Sequence, residues 1–255
     1  MVQERVNILG VEVSRYNLDE TMTRMSEAIR NRDKIQVAVT PVNCILWARE
    51  DPGLMEIYNR SAITTADGVP LVWASRLLGE PIRGRVTGLD LLPEFSKISS
   101  DFGFTFFFLG AAEGVADQLS EKLKQSYPDL KIAGTYSPPY AEKFSEDENE
   151  RIINRINESG ADVLWVSLTA PKQDYWIAEH LEKLNISVAI GVGAAFDVVS
   201  GNISRAPKWM QHYGLEWFYR LLQEPKRLFS RYLIEAPKFI PLVIIQKLKS
   251  IKISS

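Results

Sequence analysis

The chain has 255 residues, 45% hydrophobic and 24% charged, which is typical of a globular protein with a sizeable core. Its single cysteine, Cys44, excludes an internal disulfide and a multi-cysteine metal site, and two histidines, His180 and His212, are too few for a typical histidine-rich zinc centre. Any metal would be a magnesium held weakly by carboxylates and phosphates. The N-terminus lacks a basic stretch followed by a long apolar run, so we expect a cytoplasmic protein without a cleaved secretory signal.

Charge is unevenly distributed along the chain. The formal net charge is −2, yet residues 203–255 contain ten Lys and Arg against three Asp and Glu, so the preceding part is acidic. A basic segment of this kind can meet nucleic acid, anionic lipid or a phosphorylated ligand, and it can also be a solvated surface.

Strand and helix patterns alternate from residue 5 to residue 199. Strand-like runs cover residues 5–13, 35–40, 61–66, 104–110, 131–136, 162–168 and 187–199, and amphipathic helical patterns lie between most of them. Such alternation predicts an α/β fold, here a Rossmann-like, largely parallel sheet covered by helices on both faces.

The strand pattern stops at about residue 200. The remaining sequence is aromatic and basic and contains Pro225, Pro237 and Pro241, which predicts helices broken at the prolines. We therefore expect an α/β catalytic domain over residues 1–200 and a C-terminal helical appendage over residues 201–255. Its apolar stretch, 239–245, is far short of the ~20 residues that span a bilayer. Aromatic residues beside Lys and Arg are typical of a membrane-surface segment, and a helix packed on the core or on a partner subunit is the alternative.

The stretch "TTADGVPLVWASRLLG" (64–79) joins a strand to a helix through a turn that contains Asp67. Gly68 gives the turn its backbone freedom, and Pro70 suits the first turn of a helix. Asp67 either caps this helix or takes part in catalysis, because open α/β sheets bind their ligands at the carboxyl ends of the strands.

Two further strand-to-helix loops are candidates for phosphate or sugar binding. The loop "FLGAAEGVADQL" contains Gly110 and Gly114 but not the G-x-G-x-x-G dinucleotide fingerprint, so an ordinary turn is equally consistent with it. The loop "SLTAPKQDYW" presents Thr169, Lys172 and Gln173, which suit a diphosphate or sugar hydroxyls, or simply a capped helix with a solvated lysine.

The last strand region, "IGVGAAFDVVSGNISRAP", contains Gly191, Gly193 and Asp197. Small residues at a strand end admit a ligand or a neighbouring backbone. Arginines supply a second candidate anion site: Arg83 and Arg85 near the Asp67 turn, with Arg220, Arg227 and Arg231 from the C-terminal part. With so few histidines, a Ser-His-Asp or Cys-His arrangement for nucleophilic hydrolysis is not expected.

From about residue 5 to about residue 235, a series of motifs resembles the WecG/TagA/CpsF glycosyltransferase family. The motifs, in order, are "TPVN", "ADGVPLVWASRLLG", "GRVTGLDLLP", "FFLGAAEGVA", "APKQDYWI", "GVGAAFDVVSG", "RAPKWM" and "GLEWFYRLLQEPKRLFSRYL". The resemblance implies metal-independent transfer of a sugar, with inversion, from a UDP-sugar to a polyprenyl-diphosphate-linked sugar. The teichoic-acid branch transfers N-acetylmannosamine to lipid-linked N-acetylglucosamine, and other branches transfer N-acetylmannosaminuronate or glucose.

The resemblance also implies roles for individual residues. Asp67 is the general base, which takes the proton of the attacking acceptor hydroxyl. Thr40 and Asn43 line the site, although two residues separate them here instead of one, and Arg85 binds the diphosphate or the acceptor. Gln173 lies in the P-K-Q-E motif, whose last position is Asp174 in this chain. The nucleotide is expected near Gly110, Lys172, Gln173, Gly193 and Asp197.

For the C-terminal part, the resemblance implies that Arg220, Arg227 and Arg231 bind diphosphate over the active site. Ser230 precedes Arg231 where relatives often have consecutive arginines. We expect a peripheral protein on the inner face of the cell membrane that takes N-acetylmannosamine, possesses no nucleic-acid partner and can form homo-oligomers. A nicotinamide-dependent oxidoreductase and a non-catalytic nucleotide- or polymer-binding module are the alternatives from other classes.

Overall fold

The computed structural model describes residues 4–254, with side chains described for residues 4–251. Residues 1–3 and 255, which the expected domain ranges include, lie outside this part of the chain. The strands of the described part are β1 (Arg5–Ile8), β2 (Val11–Ser14), β3 (Ile35–Pro41), β4 (Ile63–Asp67), β5 (Thr105–Gly110), β6 (Lys131–Tyr136), β7 (Val163–Ser167) and β8 (Val188–Gly191).

Strands β3 to β8 form one six-stranded sheet in the order β4-β3-β8-β7-β5-β6. All of its neighbouring strands are parallel, so the predicted α/β class is confirmed. Side chains of β5 alternate between the two faces, since Phe106 and Phe108 pack into one apolar cluster while Phe107 and Leu109 pack into another. This burial on both faces explains why the strand reads as a continuous apolar run.

Helices connect the strands and cover both faces of the sheet. They are α1 (Leu18–Asn31), α2 (Val42–Glu50), α3 (Pro52–Arg60), α4 (Val69–Leu78), α5 (Gly88–Phe102), α6 (Val115–Ser126), α7 (Glu146–Ser159), α8 (Lys172–His180) and α9 (Ala195–Ser200). The helical pattern at 44–60 is two helices, because Pro52 lacks an N–H and Asp51 accepts hydrogen bonds from Gly53 N and Leu54 N to begin α3.

Two strand-like runs differ from a single strand. The run at 5–13 is an antiparallel hairpin, β1–β2, which turns at Leu9 and Gly10, both with positive φ, and forms its own two-stranded sheet. The run at 187–199 is β8 followed by α9, because the small residues after Gly191 allow the chain to turn from the sheet into a helix.

The C-terminal segment, residues 201–254, is helical. Its elements are α10 (Lys208–His212), α11 (Glu216–Gln223), α12 (Pro225–Phe229), a π-helical stretch (Ser230–Glu235), a 3-10 turn (Ala236–Lys238) and α13 (Phe239–Ser254). The prolines begin elements instead of interrupting them: Pro225 starts α12, and Pro241 lies in the first turn of α13, where no intrahelical N–H is required.

Helix α13 packs on the N-terminal hairpin and on α4. Phe239 and Val243 are buried in the same apolar cluster as the hairpin residues, and the Gln246 side chain bonds Leu9 N at 2.9 Å and Asn7 O at 2.8 Å. None of the helices in residues 4–254 is both long and apolar enough to cross a bilayer.

Candidate active site

The carboxyl ends of the parallel strands place several predicted site residues along one edge of the sheet. Asp67 ends β4 in register with Pro41 of β3, and Gly110 ends β5 in register with Ser167 of β7. The loop after β8 brings Gly193 to the same edge. This is the edge at which open α/β sheets bind ligands.

Asp67 is partly exposed at this edge, and its carboxylate is not used for capping. The N-cap of α4 is Gly68, and no side chain caps that helix, so the capping alternative is wrong. Desolvation is the largest influence on Asp67 and raises its pKa from 3.8 to about 7. Within residues 4–251, its carboxylate accepts no hydrogen bond from the protein. A carboxylate with a near-neutral pKa and free lone pairs suits a general base.

Arg85 belongs to a ring of four charged side chains. Its guanidinium contacts Asp90 at 3.3 Å and Glu216 at 3.4 Å. Arg205 closes the ring, since it contacts the same two carboxylates, Glu216 at 3.0 Å and the other oxygen of Asp90. Thr87 also donates to Asp90 at 3.0 Å. The ring is electrically balanced, and Arg85, the predicted ligand of diphosphate or acceptor, is fixed within it.

The charges of this ring act on Asp67. Arg85 lowers the Asp67 pKa, Glu216 and Asp90 raise it, and Arg231, which is not a member of the ring, also lowers it. Sequence reasoning identified Arg85 but missed Asp90, Arg205 and Glu216. All three lie inside motifs quoted for the family, and only their pairing across more than 100 residues was invisible.

Thr40 and Asn43 both lie at the end of β3 and the start of α2. Thr40 is fully buried, and its hydroxyl donates to Thr65 O at 2.6 Å. Asn43 is buried as well, and its amide donates to Arg231 O at 3.4 Å. Asn43 therefore links the carboxyl edge of the sheet to the C-terminal segment.

The loops after β5, β7 and β8 are closely fitted. Gly110 has φ 102°, and a Cβ there would lie 2.4 Å from Ser167 O, so only glycine fits. Gln173 is buried, and its side-chain oxygen accepts a hydrogen bond from Gly193 N at 3.1 Å. A Cβ on Gly193 would meet no atom within 4 Å, so this position faces open space at the edge.

Two predicted residues, Lys172 and Arg83, are bound to groups of the protein itself. Lys172 donates to Ala141 O and lies 3.7 Å from the centre of the Phe144 ring, and burial lowers its pKa. Arg83 pairs with Glu20 on α1.

Asp174, the position that departs from the P-K-Q-E motif, is buried beneath the site. Its carboxylate accepts a bond from Tyr58 OH at 3.3 Å, and desolvation raises its pKa to about 7. Burial likewise raises the pKa of the neighbouring Cys44 thiol to about 12. A thiol that stays protonated is a poor nucleophile, so Cys44 belongs to the core.

The three predicted arginines of the C-terminal segment lie around Tyr232, since burial raises the pKa of this phenol and each of the arginines lowers it. Arg220 and Arg227 share Glu224, at 2.9 and 2.6 Å, and both act on Asp197, whose pKa is raised chiefly by desolvation. Arg231 lies over the Trp47 ring at 5.0 Å and acts on Asp67.

Two of these arginines have unused buried donors. The Nε atoms of Arg220 and Arg231 are buried and have no hydrogen-bond partner among residues 4–251. A buried, unpaired guanidinium N–H is costly unless an acceptor reaches it. Phosphate oxygens are well suited to do so, because arginine binds them in a fork.

Comparisons with known proteins identify a family and several relatives. A sequence profile described as the Glycosyl transferase WecG/TagA/CpsF family matches residues 6–253. Three similar proteins each bear the name N-acetylglucosaminyldiphosphoundecaprenol N-acetyl-beta-D-mannosaminyltransferase. They come from Bacillus spizizenii W23 (32% identical, 77% of this chain and 74% of the relative), Bacillus subtilis 168 (30%, 81% and 78%) and Staphylococcus aureus MW2 (29%, 89% and 90%).

The raised pKa of Asp67 predicts a stability gain on its removal. Between pH 4 and 7 the unfolded chain has lost this proton while the native state retains it, so stability falls as pH rises to about 7 and is then constant. We expect Asp67→Asn to unfold in urea with a free energy higher than wild type by on the order of 2 kcal/mol at pH 8 and little changed at pH 4, the residue's partial exposure limiting the gain.

Asp174 is present in both the wild-type protein and the Asp67→Asn variant. Its titration therefore contributes equally to both free energies of unfolding and does not affect the difference between them. Substitution of an exposed aspartate, Asp129→Asn, is the matched control and should leave both values unchanged. An Asp67→Asn protein that is less stable than wild type at pH 8 would contradict the desolvated carboxylate.

Proposed function

The chain belongs to the WecG/TagA/CpsF family of glycosyltransferases, as its motifs indicated, and we propose that it transfers N-acetylmannosamine from a UDP donor to polyprenyl-diphosphate-linked N-acetylglucosamine. The observation that carries this proposal is the position of Asp67, a carboxylate of raised pKa at the ligand-binding edge with arginines around it. Membership of this family removes the nicotinamide-dependent oxidoreductase from consideration. The names of the three relatives favour N-acetylmannosamine over its uronate or glucose.

In the proposed reaction Asp67 takes the proton of an acceptor hydroxyl. The hydroxyl oxygen forms a bond to the anomeric carbon of the donor sugar while the bond from that carbon to the UDP oxygen breaks. Attack from the face opposite the leaving UDP inverts the anomeric centre. The base works best when its pKa is close to the working pH, which the desolvation of Asp67 provides.

Negative charge grows on the UDP oxygen as the bond breaks, and positive side chains aimed at it stabilise that charge. Arg220 and Arg231 are the proposed ligands, because each has a buried Nε–H without a partner. Arg227 adds positive charge near Asp197, and Arg85 adds positive charge near Asp67. With arginines in this role, the proposed reaction proceeds without a metal ion.

A lipid-linked acceptor requires access to a membrane surface, and we propose that α13 and its neighbours provide it. Along α13, Ile240, Ile244, Leu248 and Ile251 are about half exposed and recur at helical spacing, while Phe239 and Val243 face the core. The helix is therefore apolar on the side away from the protein as well. Exposed apolar side chains continue through the C-terminal segment at Trp209, Tyr213, Trp217, Phe218, Leu222, Phe229, Leu233 and Ile234.

This surface mixes apolar residues with basic ones such as Lys238 and Lys249. A contiguous apolar patch rimmed by cations is typical of a protein that lies on an anionic membrane. We therefore propose a peripheral location on the inner face of the cell membrane. Self-association through the same residues is the competing explanation, and the vesicle experiment below separates the two.

Asp67→Asn should abolish sugar transfer while leaving UDP binding intact, because the amide keeps the shape of the side chain and cannot accept the proton. We expect the transfer rate to fall by about 10²- to 10⁴-fold. The measurement is UDP release from donor plus lipid acceptor, with calorimetric titration of UDP as the control for folding. Wild-type turnover in this variant would contradict the role of Asp67, and UDP binding without release in the wild-type protein would favour the non-catalytic module.

The double variant Ile244→Ser, Leu248→Ser should weaken binding to vesicles of phosphatidylglycerol and phosphatidylcholine by about tenfold or more, because it removes two aliphatic side chains from the apolar surface. Tyr140→Ser, an exposed aromatic residue outside the C-terminal segment, is the matched control and should bind normally. Sedimentation velocity without vesicles completes the test. Unchanged vesicle binding with loss of an oligomer would show that the surface joins copies of the chain.

A further inference from the structure

Arg85 is the only member of the ring with a role in the proposed reaction, and its partners Asp90, Arg205 and Glu216 have none. Arg85 and Asp90 lie beside the carboxyl edge of the sheet, and the other two members, Arg205 and Glu216, belong to the C-terminal segment. Two of the four contacts, Arg85–Glu216 and Arg205–Asp90, cross between these parts. The ring therefore joins the C-terminal segment to the base by charge as well as by packing.

Glu216 occupies the critical position in the ring. Its carboxylate is 13% exposed and contacts Arg85 with one oxygen at 3.4 Å and Arg205 with the other at 3.0 Å. Arg85 in turn is 22% exposed and lies beside Asp67, because the next residue, Val86, donates its N–H to Ala66 O at 3.0 Å. At such low exposure, charge interactions are screened much less than on the surface.

We propose that Glu216 and Arg205 are positioning residues, which hold Arg85 next to Asp67 and set the balance of charge around the base when the C-terminal segment is docked. This rests on the proposed function for its meaning in catalysis. Without α11 in place, Arg85 keeps only Asp90 as a partner, and its positive charge acts more fully on Asp67. Glu216 of the docked segment thus makes Asp67 a stronger base, and Arg205 limits this effect.

Removal of Glu216 and removal of Arg205 should shift the pKa of Asp67 in opposite directions. Loss of Glu216 removes a negative charge near Asp67 and frees Arg85, so Asp67 should hold its proton less tightly. Loss of Arg205 leaves Asp90 and Glu216 to face Arg85 alone, so the surroundings become more negative and Asp67 should hold its proton more tightly. A purely structural ring predicts no such opposition of sign.

Other groups that face Asp67 stay constant in this comparison. They are Arg231 and Tyr232 from the π-helical stretch after α12, Cys44 from α2, and Asp90 from α5. Glu235, which belongs to the same segment and contacts Ser230 at 3.1 Å but no ring member, provides the matched control.

The test is a titration of the full chain, labelled with ¹³C at the aspartate side-chain carboxyl carbon and followed by NMR, with Asp67→Asn to assign the signal. Glu216→Gln should lower the midpoint of Asp67 by about one pH unit, Arg205→Gln should raise it by about one, and Glu235→Gln should leave it in place. Shifts of the same sign in the two ring variants, or no shift in either, would overturn the proposal.

The acid limb of the pH profile of kcat/KM should move in the same direction as each titration. If Glu216→Gln does not fold, Asp90→Asn replaces it, with the same downward shift expected. The titration needs no substrate, so a protein whose Asp67 midpoint moves as stated but which transfers no sugar would refute the proposed function and leave the ring's effect standing.

Discussion

A partly desolvated carboxylate at the end of a buried strand is stabilised by compensating charge, and arginines provide that charge at Asp67. Desolvation favours the protonated form, while Arg85 and Arg231 favour the ionised form. Each arginine also has another partner. Arg85 contacts Asp90 and Glu216, while Arg231 lies over the Trp47 ring. The outcome is a base poised near neutrality instead of a fixed anion or a neutral acid.

The C-terminal segment consequently contributes side chains to the candidate site. It supplies Glu216 and Arg205 to the charge balance, and it carries the buried Nε atoms of Arg220 and Arg231, which have no partner among residues 4–251. Its last helix, α13, packs Phe239 and Val243 into the apolar cluster that contains the N-terminal hairpin. The isoleucines on the opposite side of α13 are exposed. The residues that the segment contributes to the candidate site all precede this helix.

Local patterns in the sequence account for most of the fold. The apolar run of β5, the turn after Asp67 and the carboxyl-edge position of Gly110 and Gly193 follow from periodicity and turn chemistry. The sequence does not distinguish two structures that share one apolar pattern. The run at 5–13 has the same pattern as one strand or as a hairpin, and the positive φ of Leu9 and Gly10 makes it a hairpin. The family resemblance identified Arg85, but the pairing of Asp90 with Arg205, 115 residues apart, depends on tertiary structure. Polar interactions of this range leave no periodic trace in a single chain.

The most direct measurement of the central claim is the mass of the lipid product. The purified full chain is incubated, with a chelator present, with a short-chain polyprenyl-diphosphate N-acetylglucosamine and a panel of single UDP-sugars. The account predicts that the lipid gains one N-acetylhexosamine from UDP-N-acetylmannosamine, with inverted anomeric configuration. A gain from UDP-glucose or the uronate donor instead would contradict the proposed donor. No gain with any donor, from a protein that binds UDP, would contradict the reaction itself.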